Sequence, residues 1–207
     1  LKAFILALIL TALLLDAHAG TIGDPFTGTP IYINGIPGAV TIIEAENFDL
    51  GGEGVAFHDL HSCAAGCTQA YRPDGINVCV AGAIAFVSYC DPGLSGWVQY
   101  TVQFNSFGNY TVELLIAIAE GSAEAAYHVE LDDKRYPDTG SYALGPAFTA
   151  GWTSFEWRGK SDLIGVVPGV HRLRIVVDHG WFNWDSIRVK YAAGIEWQQV
   201  PVWRVYP

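Results

Sequence analysis

Methionine is absent from this sequence and basic residues are scarce: 11 Lys and Arg face 21 Asp and Glu, a net charge of −10. Such a surface repels phosphate backbones and anionic lipid head groups, which argues against nucleic acid or a membrane surface as partner. Charged residues make up only 15% of the chain and apolar ones 51%, enough for a buried core and unlike a disordered chain. Beyond the first 15 residues no apolar run is long enough for a membrane helix. Several catalytic signatures are also missing. There is no G-x-S-x-G elbow (GLSG at 93–96 is one residue short), no H-E-x-x-H, no P-loop, no G-x-G-x-x-G and no EF-hand loop. Glu113, Glu130 and Glu156 lie in strand-like stretches and Asp132 adjoins Asp133 in a turn. Nothing in their spacing pairs them as the acid and nucleophile of a glycosidase.

What is present begins with a segment that reads as a signal peptide. Lys2 precedes an apolar run from Ala3 to Leu15, and Ala17-His18-Ala19 has the small-x-small form of a cleavage site. Residues 1–19 are therefore expected to be removed and the protein to be secreted, with no membrane attachment afterwards. The chain begins at Leu1, and retention of the segment as an anchor or buried filament helix is the alternative. Cys63, Cys67, Cys79 and Cys90 are four cysteines in one loop-rich region. Behind a signal peptide they read as two disulfides. Of three connectivities, closeness favours Cys63–Cys67 with Cys79–Cys90. Zinc fits poorly, since C-x2-C does not occur twice, although His58 and His61 are near.

The 23 glycines and 27 aromatic residues (7 Trp, 10 Tyr, 10 Phe) favour strands joined by tight turns. Residues 20–39, rich in Gly, Pro and Thr, read as a leader along the domain edge. The stretches 41–48, 97–104, 110–119, 125–133, 152–159, 171–180 and 181–191 read as strands. Period-two alternation turns Tyr127, Val129 and Leu131, and Leu173, Ile175 and Val177, inward. No amphipathic helix follows the signal. The expectation is an all-β protein, a β-sandwich of the jelly-roll kind over residues 40–191, with a tail at 192–207 that carries Trp197 and Trp203.

Two patterns point to ligands. Ile42, Glu44 and Glu46 alternate onto one face, and two carboxylates so placed repel each other unless a cation lies between them or both face water. Aromatic rings also cluster beside turns: Trp152 after Gly151, Trp181 with Asn183 after Gly180, and Phe86 with Tyr89 before Asp91-Pro92-Gly93. A ring in a loop offers the C–H face of a pyranose an apolar platform, and a nearby amide orients the hydroxyls. The plain alternative is that each ring is core. Asn109-Tyr110-Thr111 is an N-glycosylation sequon at a strand start.

The stretches IEAENFDLGGEGVAFHD (43–59), YRPDG (71–75), GWVQYTVQF (96–104), NYTVEL (109–114), TAGWTSFEW (149–157) and PGVHRLRIVVDHGWFNWDSIRV (168–189) follow one another in the order and spacing of a family 6 carbohydrate-binding module, which this sequence resembles over roughly residues 35–190. The resemblance implies a jelly-roll sandwich with a sugar cleft built from loops at one end. It also implies a structural calcium held by Glu44, Glu46 and Asp185, with backbone carbonyls completing the shell. In the cleft it makes Trp152 one platform and Asn183 the amide that bonds the sugar. The opposing ring falls on Phe86 or on Tyr89, where SYCDPGLSG (88–96) is longer than the family's usual turn. A polysaccharide such as xylan, a β-glucan or an agar-type galactan is the implied partner, bound without cleavage. Two alternatives remain: a structural subunit of an extracellular filament or matrix, which would self-assemble, and an accessory module or fragment of a secreted glycoside hydrolase.

Overall fold

Alternation of apolar and polar side chains builds nearly every element of the protein. The computed structural model describes residues 23–58, 71–72, 78–81, 84–89, 96–118, 125–136, 142–143 and 148–193. Among these there is no helix. The strands are β1 (Ile31–Ile33), β2 (Val40–Glu44), β3 (Phe57–His58), β4 (Val78–Ala81), β5 (Ile84–Tyr89), β6 (Gly96–Phe104), β7 (Gly108–Ala117), β8 (Ala126–Leu131), β9 (Lys134–Tyr136), β10 (Tyr142–Ala143), β11 (Glu156–Val166), β12 (Gly169–His179) and β13 (Phe182–Ala193). One sheet has seven strands in the order β1-β6-β12-β8-β10, with β3 also on β6 and β9 also on β8. The other has six, in the order β11-β7-β13-β5-β4, with β2 also on β13. This is the expected all-β jelly-roll sandwich.

The core lies between the sheets. Phe104 of β6 meets Tyr110 of β7 edge-on at 4.6 Å, and Tyr127 of β8 faces Phe182 of β13 at 6.5 Å. Tyr127, Val129, Leu131, Leu173, Ile175 and Val177 are all buried, as the alternation requires. Each such side chain contributes about 1.5–3 kcal/mol by leaving water. The β8–β9 turn places both Asp132 (φ 51°) and Asp133 (φ 65°) in the left-handed region, the conformation of a two-residue hairpin turn that matches strand twist.

The leader supplies an edge strand: β1 pairs in parallel with β6 at the margin of the seven-stranded sheet, Ile33 is fully buried, and Asp24 bridges Leu50. Two details depart from the sequence reading. The first strand of the six-stranded sheet stops at Glu44 rather than running to residue 48, because the chain turns there and Asn47 N–H donates to Glu44 O at 3.1 Å. Residues 152–155 are a turn and irregular chain, not strand, and β11 instead continues to Val166, with register shifts after Arg158 and Leu163. Gly159 at φ 70° lies beside the first shift, and a side chain there would strike the Tyr127 hydroxyl. Residues 1–19, Cys63, Cys67, Cys90 and the tail beyond Ala193 lie outside the described residues.

Candidate functional site

β7 and β12 finish, and β6 and β13 begin, at one end of the sandwich. The link from β12 to β13 crosses between the sheets there through Gly180, whose φ of 85° favours glycine and where a side chain would collide with the backbone of Ala125. Trp181 follows at once and is 40% exposed. The segment 148–155 reaches the same end, and Phe148 and Trp152 on it are 40% and 41% exposed. Rings of this size are ordinarily buried, so exposed rings gathered at one end invite a flat apolar ligand.

The exposed segment is firmly held. Asn183 pairs in register with Ala117 of β7 and Ser88 of β5, and its side chain is 4% exposed. Its Nδ2 donates to the main-chain carbonyl of Trp152 at 2.7 Å. Thr149 is buried against Ile118, just past the end of β7, through three polar contacts. Gly151 (φ 146°) gives the chain its sharp turn before Trp152, and Ser154 N–H closes that turn on Gly151 O at 3.1 Å.

The expected residues therefore divide. Trp152 and Trp181 are exposed at the loop end. Asn183 reaches it too, but its amide is engaged with Trp152 itself rather than turned outward. Phe86 is only 5% exposed and packs edge-on against Phe155 at 5.5 Å, on the face of β5 opposite the core residue Val87. The sequence could not separate it from a platform, because alternation along β5 places it between Ala85 and Val87 without saying what covers it. Tyr89 ends β5 opposite Phe182. Phe148 and Thr149 were missed as members of the site, although Thr149 opens the TAGW stretch.

Of the three carboxylates expected to hold a cation, Glu44 and Asp185 share one hydroxyl where β2 leaves β13, and Glu46 lies two residues further on. Ala45 N–H donates to Asp185 O at 2.8 Å, and the Ser186 hydroxyl lies 3.1 Å from Glu44 Oε2 and 2.8 Å from Asp185 Oδ2. One hydroxyl proton cannot serve both carboxylates at full strength. Glu46 is buried, and its Oε2 has no hydrogen-bond partner. Burial above all, with the neighbouring charges of Glu44 and Asp185, pushes its carboxyl up to about 7. A buried carboxylate with an orphaned oxygen, beside two more carboxylates, fits a hard cation with oxygen ligands. Among the described residues no three His, Cys, Asp or Glu side chains converge as a ligand set, so main-chain carbonyls would have to complete the shell.

Several other polar groups among the described residues are engaged. Arg72 is buried, with its guanidinium 3.5 Å from the centre of the Phe48 ring and bonded to the carbonyls of Glu46, Phe48 and Asp49. On the outer face of the seven-stranded sheet Arg174 lies 4.2 Å over Trp97 and bonds Gln99 Oε1 at 3.0 Å, so one face of that ring is covered. Asn109 of the sequon accepts from Gly165 N–H through Oδ1 at 2.9 Å. Cys79 is buried in β4 and is not a free thiol.

The sequence pattern of carbohydrate binding module family 6 matches residues 87–191, just over half of the chain, and the chain belongs to that family of non-catalytic binding modules. Solved structures are similar to it. The C-terminal family 6 module of LamC, a marine laminarinase from Zobellia galactanivorans, is 20% identical with a TM-score of 0.47, over 73% of this chain and 99% of its own. The module CBM6cm-2 of lichenase 5A from Cellvibrio mixtus, in complex with cellotriose, is 20% identical with a TM-score of 0.49, over 74% and 98%. A family 35 module from Clostridium thermocellum is 16% identical with a TM-score of 0.48, over 75% and 99%. No curated protein matches the chain in sequence.

Proposed function

We propose that this protein binds a β-glycan such as xylan, a β-glucan or an agar-type galactan at the loop end of its sandwich, and does not cleave it. The observation that carries this reading is Trp152, an exposed ring whose backbone is fixed by a buried amide. Trp181 and Phe148 at the same end offer further apolar surface. A pyranose stacks its C–H face on such a ring, and water leaves both. A shallow, wet site of this kind gives roughly −4 to −8 kcal/mol, between mM and μM.

A calcium ion at Glu44, Glu46 and Asp185, supplemented by carbonyls, belongs to the same reading. Its support is the negative charge that Glu44 and Asp185 place near buried Glu46, and the orphaned oxygen of Glu46. When bound it would neutralise that charge and fasten the exit of β2 to β13. Secretion, with removal of residues 1–19 and disulfides among Cys63, Cys67, Cys79 and Cys90, suits a polysaccharide ligand and completes the proposal.

The test is a polysaccharide array probed with the purified protein, with and without EDTA, alongside an assay for released reducing sugar. Retention on a β-glycan without sugar release is expected. No retention on any glycan by folded protein would overturn the reading, and sugar release would replace it with a hydrolase.

A further inference from the structure

One buried side chain ties the near side of the ring-bearing segment to the sandwich. Thr149 sits between the exposed rings of Phe148 and Trp152 in sequence, yet is itself 7% exposed. Its N–H donates to Ile118 O at 2.8 Å. Its hydroxyl accepts from Ile118 N–H at 2.9 Å and has Gly151 O at 2.9 Å and Ile118 O at 3.1 Å within donating reach. Ile118 lies one residue past the end of β7, so its buried N–H has left the ladder, and the Thr149 hydroxyl replaces that lost partner. One hydroxyl therefore ties the end of a core strand to the turn that presents Trp152. Asn183 fastens the far side of the same turn through the Trp152 carbonyl.

We propose that Thr149 is a positioning residue of the glycan site: its buried hydroxyl latches segment 148–152 to the end of β7 and so fixes the pose of the Phe148 and Trp152 rings. The inference rests on the reading of Trp152 as a sugar platform, but the latch exists whether or not sugar is bound. A ring pre-set in its binding pose loses little freedom when a ligand stacks on it, whereas a ring on a loosened turn must be ordered at that moment. Serine keeps the hydroxyl. Valine keeps the shape but leaves the Ile118 N–H buried without its acceptor.

The experiment compares wild-type protein with T149V, T149A, T149S and W152A. Affinity electrophoresis is run in soluble xylan and in soluble β-1,3-glucan, and hydrogen exchange of residues 148–155 is followed in the free protein. Expected are about tenfold weaker retention for T149V or T149A, near-native retention for T149S, and faster exchange across 148–155 in the first two alone. Should T149V fail to fold, T149A reads the same lost bond without the added methyl. Unchanged exchange in T149V and T149A overturns the latch, whatever the glycan result. Loss of binding in W152A with native affinity in T149V and T149A overturns the positioning role but leaves the platform standing. Native binding in W152A overturns the platform reading itself.

Discussion

The side-chain amide of Asn183, at the start of β13, donates to the main-chain carbonyl of Trp152 at 2.7 Å. A core strand thereby holds an exposed ring by its backbone. Asn183→Ala removes that bond and leaves a carbonyl unpaired at a nearly closed site, a loss of about 1–3 kcal/mol. Asn183→Asp is the worse change, since a carboxylate oxygen would face the Trp152 carbonyl. Glycan retention should fall about tenfold or more in both, with unfolding at lower urea. Native affinity in Asn183→Asp would show that the bond does not support the ring.

Trp152 and Phe86 separate binding from stability. Trp152 is 41% exposed, so Trp152→Ala should abolish glycan retention and change the unfolding free energy by about 0.5 kcal/mol or less. Phe86 is 5% exposed against Phe155, so Phe86→Ala should cost about 3–5 kcal/mol of stability. Urea unfolding and affinity electrophoresis on both variants check this. A stable Phe86→Ala protein that has lost its ligand would restore Phe86 as a platform.

The contrast between these two rings also marks where the sequence stops being informative. Period-two alternation located Leu173, Ile175 and Val177, and all three are buried, because a central strand between two neighbours obeys its pleat. The same rule failed at Glu46, which lies past the end of β2, where a turn has replaced the pleat. It was silent on Phe86, since burial at a sheet's end depends on which loop covers it. The strand extension through residues 160–165 carries no clean alternation, because Gly159 and Gly165, both at positive φ, sit within its two register shifts. The carboxylates and Trp152 were legible as residue types, whereas Ser186 and Thr149, which organise them, carry no signal outside the fold.

Calcium should matter through Glu46. With the carboxyl pushed up to about 7 by burial and by its acidic neighbours, its charged form is disfavoured without a cation. Calcium at a hundred times its dissociation constant would add about 2.7 kcal/mol of stability, lost on treatment with EDTA. Glu46→Gln relieves the repulsion, so it should raise the melting temperature in EDTA and shrink the gain from added calcium. A variant that melts lower in EDTA, with an unchanged calcium gain, would remove Glu46 from the site.

The leader should be needed for folding. Ile33 of β1 is fully buried beside β6, and Gly23 O lies 3.1 Å from the Thr101 hydroxyl. Ile33→Ala is expected to cost about 2–5 kcal/mol by urea unfolding, as for a core position. A change below about 1 kcal/mol would make residues 23–39 a loose strap.

Two buried histidines should make the protein lose stability as the pH rises above 6.5. His128 Nδ1 lies 2.8 Å from Asp178 and its Nε2 3.4 Å from Glu130, with Arg135 3.6 Å from the same Asp178 oxygen and Arg174 3.8 Å from Glu130. His171 Nδ1 lies 2.6 Å from Asp132 and its Nε2 2.9 Å from Val167 O. Each ring has acceptors at both nitrogens, and only the doubly protonated imidazolium donates to both. Burial opposes the charge on His128, but the bonds to Asp178 and Glu130 outweigh it; on His171 the bond to Asp132 dominates. Both therefore titrate above the ordinary 6.5. A raised folded value means stability that is fully present below pH 6.5 and lost as pH rises through the folded value. The carboxylates give the opposite limb. The His128 bond, against burial, lowers Glu130 from 4.5, and Asp132 falls below 3.8 because His171 and the Arg172 N–H outweigh burial, so their contribution goes as pH falls through those lowered values. Proton NMR of the imidazole C–H signals in wild-type, Asp178→Asn and Asp132→Asn proteins tests each pair. The wild-type rings should titrate above 6.5, and each variant should bring its own histidine down. A His128 or His171 that titrates at or below 6.5 in the wild-type protein would show that its second acceptor does not hold the proton.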